Sequence, residues 1–277
     1  MFWAWIGAAA VGLSLGLLGS GGAILTVPIL VYLVGHDEKS AIAESLAIVG
    51  AIAAAGVVRA ARQKRVDFRS AALLAFPGIA GSYAGAHLAV HIPGSVQLVL
   101  LGLLMLTASA LMFRGGPRTA ATASIEPHEG DGWFKLTLAA LQGVGLGLVT
   151  GLVGVGGGFL IVPVLVFVRR LAMPTAVGTS LAIIAVNSAT GFLKHLSQAG
   201  SGQLELNLDW SIIATFASIG IAGSLVGNYL GGRLNQKTLK RVFAVFLIVM
   251  AGYILVRQAP RVMRAESPPS QVQDPQK

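Results

Sequence analysis

Long apolar runs separated by polar connections make up most of this chain. Many of the runs approach or reach about 20 residues, the length that a helix needs to cross the hydrocarbon core of a bilayer. Because lipid offers no hydrogen bonds to backbone groups, such runs are expected to be helical. The pattern therefore predicts an all-α integral membrane protein. The runs cover residues 2–18, 22–35, 40–58, 70–91, 95–113, 133–153, 157–168, 174–193, 210–232 and 240–256.

The same pattern occurs twice. Residues 12–34 read GLSLGLLGSGGAILTVPILVYLV, and residues 147–169 read GLVTGLVGVGGGFLIVPVLVFVR. The correspondence continues without a gap to Gly56 and Gly191, and it resumes after a seven-residue shift further on. Two homologous repeats are predicted, each a glycine-broken helix or re-entrant hairpin followed by three transmembrane helices. The predicted organisation is a first repeat at 1–114, a connecting loop at 115–132, a second repeat at 133–257 and a disordered tail at 258–277.

The broken segments leave two topologies open. Residues 3–34 as one straight helix would be about 48 Å long, too long for an ordinary span. If each broken segment is a hairpin, each half crosses the membrane three times, and the halves are inverted. If each segment crosses once, the halves are parallel. Lys and Arg collect on one side in both topologies, slightly more so with hairpins, which the count therefore favours.

Composition narrows the class of protein. The chain is 55% hydrophobic and 11% charged, with a net charge of +9. The excess of positive charge is expected to orient loops of a multi-pass protein toward the cytoplasm rather than to bind nucleic acid. Cysteine is absent, which excludes disulfides and thiol chemistry. We find no convincing nucleophile, base and acid in combination, and we predict a non-enzyme without cofactor or metal.

The glycine clusters are the strongest candidates for chemistry. Residues 19–22 (GSGG) and 154–158 (GVGGG) interrupt apolar runs at membrane depth. Several adjacent glycines favour unwinding, and an unwound backbone in a membrane is expected where it lines a cavity. The N–H groups that begin each following half-helix would then attract an anion. The alternative is that these glycines only allow helices to pack closely.

The two clusters also carry a resemblance to a known family. Gly19, Gly21, Gly22 and Pro28 precede Ala43-Glu44-Ser45-Leu46-Ala47, and Gly154, Gly156, Gly157, Gly158 and Pro163 precede Gly178-Thr179-Ser180-Leu181-Ala182. This doubled pattern resembles the sulfite exporter TauE/SafE family of permeases, and it covers nearly the whole chain outside the tail. The resemblance implies a bacterial-type inner-membrane permease for sulfite or organosulfonate anions. Ala23 departs from the pattern, since the second copy has Gly158 there.

Polar residues follow each glycine cluster on the next helix. Asn187 shares a helical face with Thr179 or Ser180, and Ser45 is the counterpart of Ser180. Hydroxyls and amides suit an oxyanion, although hydrogen bonds between helices would explain them equally. The candidate substrate-binding residues are Gly19, Ser20, Gly21, Gly22, Ser45, Gly154, Gly156, Gly157, Gly158, Thr179, Ser180 and Asn187.

Three charged residues complete the candidate site. Arg59 and Lys194 occupy equivalent positions and are candidates for attracting the anion or for gating, the alternative being cations at the interface. Glu44 is a candidate for proton coupling, or an interfacial acid near Lys39. The predicted function is a secondary permease with alternating access, whose partners are a small anion and the lipid bilayer. Substrate identity, transport direction, coupling ion and oligomeric state stay open.

Two alternatives remain at this stage. His87 and His91 are four residues apart, a spacing compatible with a transition-metal cation permease, although a third ligand is missing and interfacial histidines explain them better. A non-catalytic membrane assembly subunit is the other alternative.

Overall fold

Helices form the whole regular structure of the described chain. The computed structural model describes residues 2–18, 21–113, 132–154, 161–162, 165, 169, 171–231, 244–245 and 247–258. No strand occurs in these ranges, which confirms the all-α prediction. The helices are α1 (Phe2–Leu18), α2 (Thr26–Ile29), α3 (Glu38–Arg62), α4 (Phe68–Ala89), α5 (Gly94–Phe113), α6 (Gly132–Val153), α7 (Met173–Gly200), α8 (Trp210–Gly231) and α9 (Leu247–Gln258).

Aspartate side chains define where three of these helices begin. Asp37 precedes α3, Asp67 precedes α4 and Asp209 precedes α8. Each carboxylate accepts hydrogen bonds of 2.9–3.3 Å from backbone N–H groups of the first helical turn. Such caps satisfy donors that have no partner inside the helix.

The first broken segment folds back on itself. After α1 the chain continues as a 3-10 turn at Gly21–Leu25, the short helix α2 and a π turn at Leu30–Val34. A Cβ placed on Gly7 would lie 2.8 Å from Cγ2 of Ile29, so α1 and α2 are in contact. In a continuous helix these residues would be about 33 Å apart. The chain therefore reverses its direction between Gly7 and Ile29.

The two central helices run antiparallel. Gly50 of α3 lies against Ser188 of α7, and Gly56, further along α3, lies against Leu181, which is earlier in α7. The sequence repeat pairs α3 with α7. Helices at equivalent positions therefore point in opposite directions, as expected for inverted halves.

Each half packs its first helix against the other half. Gly12 and Gly16 of α1 contact the backbone of Gly220 and Ser224 in α8, and a Cβ at either glycine would clash. The equivalent contacts join α6 to α4, where Gly147 and Gly151 meet the backbone of Gly78 and Ser82. Small residues permit this close approach of backbones in membranes. The first helix of each half therefore packs against a helix of the other half.

The outer surface of the bundle is apolar. Glu38–Arg62, Pro174–Gly200 and Trp210–Gly227 are long and apolar enough to cross a membrane, and shorter apolar helices accompany them. Large apolar side chains such as Phe76, Leu141 and Val256 are exposed. Such a surface suits lipid rather than water, and the chain is an integral membrane protein.

Candidate functional site

The second glycine break lies against the first half of the protein. Gly154 ends α6 with a φ of +75°, a conformation that favours glycine. The hydroxyl of Ser45 donates to the carbonyl oxygen of Gly154 and lies 2.9 Å from the carbonyl oxygen of Ile42. A Cβ at Gly154 would lie 2.8 Å from the Ile42 oxygen. Ser45 therefore holds the break in place, and its only hydroxyl proton is directed at carbonyl groups.

The first break is described in part. Gly21 and Gly22 begin the 3-10 turn that follows it. Ser180 donates to the carbonyl oxygen of Val177 at 2.8 Å, the counterpart of the contact between Ser45 and Ile42. The remaining glycine-cluster candidates lie outside the described residues. They are Gly19, Ser20, Gly156, Gly157 and Gly158.

The two breaks lie at different depths in the bundle. Gly154 lies beside Ser45, near the start of α3. Gly16, close to the end of α1, lines a small cavity of about 20 Å³ together with Arg59, near the end of α3. Fourteen residues of helix between Ser45 and Arg59 correspond to about 21 Å. Gly154 and the end of α1 are therefore close to different ends of α3.

Asn187 occupies the level between the breaks. It is the central residue of the apolar helix Pro174–Gly200 and is fully buried. Neither atom of its side-chain amide has a hydrogen-bond partner within the described part of the chain, and the hydroxyl of Ser188 also lacks one. A Cβ on Gly78 of α4 would lie 2.5 Å from Oδ1 of Asn187, so the glycine makes room for the amide. A buried amide without partners is costly and offers two N–H donors to a ligand.

Thr179 and Glu44 join the halves at opposite ends of the bundle. The hydroxyl oxygen of Thr179 accepts a hydrogen bond from the backbone N–H of Asp67 at 2.9 Å. At the equivalent position, Oε1 of the fully buried Glu44 accepts from the backbone N–H of Asp209, also at 2.9 Å. Nδ1 of His36 lies 2.7 Å from the other Glu44 oxygen. Both side chains thus support helix starts in the other half. An open cavity of about 710 Å³ adjoins His36 and Asp209.

Asp67 is held in its ionised form. Hydrogen bonding by the Ser70 side chain lowers the pKa of Asp67, and the backbone N–H groups of Ser70 and Arg69 and the charge of Arg169 act in the same direction, while partial burial opposes them. Since the folded-state pKa is lowered, this stabilisation is present at neutral pH. It is lost as the pH falls through the lowered value. The cap of α4 is therefore stable at neutral pH.

The two candidate cations have different surroundings. Nζ of Lys194 donates to the hydroxyl of Tyr83 at 3.1 Å and lies 4.4 Å from the centre of the same ring. Arg59 is half-buried and borders the small cavity at the end of α1. Lys194 is thus held by a cation–π contact, and Arg59 adjoins the first break.

The histidine pair does not form a metal centre with other side chains. The rings of His87 and His91 are 5.7 Å apart in an edge-to-face arrangement, and both residues are exposed. Across the described ranges, no three His, Cys, Asp or Glu residues group as metal ligands. The structure therefore adds nothing to the metal alternative.

Sequence reasoning missed several buried polar residues, Thr26, His195 and Gln198 among them. Thr26 follows the first break, and His195 and Gln198 lie near the end of α7; all three are at least 98% buried and have side-chain atoms without a partner in the described chain. Their only sequence signal is a polar residue within an apolar or mixed run. The sequence alone does not show whether the side chain of such a residue faces the interior.

Comparison with known proteins agrees with this architecture. A family model described as "Sulfite exporter TauE/SafE" matches residues 4–254. The chain belongs to the sulfite exporter TauE/SafE family. Its similarity extends to a "Probable membrane transporter protein" of Xylella fastidiosa strain 9a5c, with 35% identity over 250 residues, 89% of this chain and 92% of that protein. No solved structure matches the chain.

More distant relatives of the TauE/SafE type carry similar names. The "Probable membrane transporter protein YunE" of Bacillus subtilis is 26% identical over 84% of this chain and 89% of its own length. A "Probable membrane transporter protein" of Methanocaldococcus jannaschii is 26% identical over 87% of this chain and 90% of its own length. The protein is a membrane transporter of this family.

Proposed function

We propose that this transporter is a secondary permease for a small anion, most simply sulfite or an organosulfonate, in the inner membrane of a bacterium. The family description supports the substrate class. The observation that carries the proposal is the buried amide of Asn187, whose N–H donors lack partners in the described chain at the centre of a membrane-spanning helix. Transporter sites commonly lie at this depth, at the interface of inverted halves.

The proposed site combines neutral donors with the glycine breaks. Asn187 and Ser188 offer side-chain donors, and backbone N–H groups at the two breaks add further ones. The proposed backbone positions are Gly19, Ser20, Gly21, Gly22, Gly154, Gly156, Gly157 and Gly158. Neutral donors bind an oxyanion without the strong attraction of a fixed positive charge, so the ion can also leave. Ser45 links α3 to Gly154, and Ser180 bonds to a carbonyl of its own helix.

The opposite placement of the breaks supports alternating access. The second break lies beside Ser45 near one end of α3, and the end of α1 lies beside Arg59 near the other. Movement of one half against the other would expose the Asn187 level first to one end and then to the other. In this scheme Arg59 and Lys194 attract the anion from opposite ends. Accumulation would draw on a proton gradient or on the membrane potential, worth about 2.3 kcal/mol per charge at 100 mV.

A flux assay in liposomes tests the proposal. Purified protein should carry sulfite or a short alkanesulfonate across the membrane, with sulfate as a competitor that tests selectivity. Gly21→Val and Gly156→Val should abolish this flux while the protein still inserts and elutes as a single species. Flux of none of these anions through the wild-type protein would overturn the function. Wild-type rates in both glycine variants would instead overturn the role of the breaks.

A further inference from the structure

His195 is a buried histidine whose protonation state the structure constrains. It lies on α7, is 2% exposed, and its Nε2 is 3.1 Å from the carbonyl oxygen of Gly151. A carbonyl oxygen only accepts hydrogen bonds, so Nε2 carries the hydrogen. In the neutral ring, Nδ1 then has a lone pair. This atom lacks a hydrogen-bond partner within the described residues.

The free nitrogen lies close to the second break. Gly151 precedes Gly154 by one helical turn, and Gly154 is where α6 ends. Gln198, one turn beyond His195 on α7, is 1% exposed, and both atoms of its amide lack partners in the described chain. An acceptor nitrogen and an amide are thus buried near the backbone that the proposed anion would approach.

Within the described residues no carboxylate contacts the ring. From α3, the ammonium group of Lys39 donates to the carbonyl oxygens that end α4. From α4, Tyr83 is engaged with Lys194, and His87 is exposed. From α6, the ring meets the carbonyl of Gly151. A protonated ring would be a buried positive charge with no carboxylate partner among the described residues, and an anion beside Gly154 would neutralise it.

This arrangement couples the two binding events. If an anion favours the protonated ring, the protonated ring favours the anion by the same free energy. Glu44, the other buried titratable side chain near this end, is already engaged through both oxygens, with Asp209 and His36. The lone pair of His195 is therefore the better placed acceptor.

We propose that His195 carries the proton that accompanies the transported anion. Nδ1 accepts one proton when the anion lies beside Gly154, and it releases that proton when the anion leaves. For a monovalent anion the loaded protein gains no net charge, so transport is electroneutral. Gln198 donates a hydrogen bond from its amide to the same anion. This inference rests on the proposed anion transport.

Proton movement with the anion is the direct test. Methanesulfonate is a suitable probe because it stays ionised at the pH values used. In proteoliposomes with the membrane potential clamped, a trapped pH indicator should show protons moving with methanesulfonate in a one-to-one ratio. His195→Gln keeps an N–H that can reach Gly151 but cannot titrate. It should abolish proton movement and stimulation by a pH gradient, while anion exchange at equal pH continues.

His87→Gln serves as the comparison. It changes an exposed histidine outside the proposed site and should retain proton movement. Anion flux by the wild-type protein without proton movement would overturn the inference and leave the proposed function intact, as would proton coupling that survives in His195→Gln. If His195→Gln fails to insert, the wild-type proton ratio still decides. No flux of any anion would overturn the proposed function itself.

Discussion

The two halves place different side chains at the same crossing point. In the first half Ile52 of α3 packs against Gly220 of α8; in the second, Asn187 of α7 packs against Gly78 of α4. The backbone geometry is shared, but the chemistry is not. Isoleucine fills its site with apolar contacts, whereas the amide is buried without partners among the described residues. The same helix crossing occurs in both halves, but only the second half has a polar side chain there. We infer that Ile52 stabilises the packing and that Asn187 binds a ligand.

Replacing Asn187 by the isoleucine of the equivalent position gives the largest expected effect. Asn187→Ile should reduce anion flux about 10- to 100-fold, since a hydrogen bond to a charged group contributes about 1.5–3 kcal/mol. The variant should insert normally because the first half already accommodates isoleucine at the equivalent crossing. Initial rates in proteoliposomes measure the effect.

Ile52→Asn is the matched control for that variant. It should not restore flux when combined with Asn187→Ile, because the two positions face different neighbours. Restoration would show that the halves are interchangeable, and unchanged flux in Asn187→Ile alone would remove the amide from the site.

The hydrogen bonds that join the halves also differ between the two ends of the bundle. Glu44→Ala leaves both His36 and the backbone N–H of Asp209 without an acceptor and should lower the free energy of unfolding by about 2–3 kcal/mol. Thr179→Val removes a single acceptor from Asp67 and should cost about 1 kcal/mol. Melting temperatures in detergent compare the two. Equal losses would show that the charged link adds nothing beyond its neutral counterpart.

The smallest effect is expected from the two cations. Lys194→Met removes a contact with Tyr83 worth about 0.5–1 kcal/mol, and Arg59→Met removes a charge beside the first break. At low ionic strength each should slow uptake of dilute anion, and high salt should remove the difference because such charges act mainly on encounter. Loss of flux that persists in high salt would instead place the cation in the binding site.

Much of the fold could be predicted because its signals lie along the chain. Apolar runs separated by glycine clusters indicated membrane helices, and they left open how the chain passes from Gly7 to Ile29. The contacts between halves could not be predicted, because helical spacing does not identify the partner of a face. Thr179 shows the consequence: its spacing did not reveal that its hydroxyl oxygen accepts a hydrogen bond from the backbone N–H of Asp67.

The buried polar residues were predictable only where helical spacing linked them to another candidate. Asn187 was found through its spacing from Thr179 and Ser180, and its burial agrees with that choice. His195 and Thr26 have no polar counterparts at Ala60 and Ile161 in the other half, so the repeat gave no reason to select them. Their burial depends on packing between helices far apart in sequence.

The exchange of helices between halves has a consequence for biosynthesis. During synthesis α1 enters the membrane early, yet the surface that matches Gly12 and Gly16 belongs to α8. Until α8 emerges, α1 lacks this partner, and assembly in the bilayer depends on contacts of high sequence separation. The amino-terminal half must therefore await the completion of its counterpart, and a chain truncated before α8 would expose the glycine face of α1 to lipid and to membrane quality control.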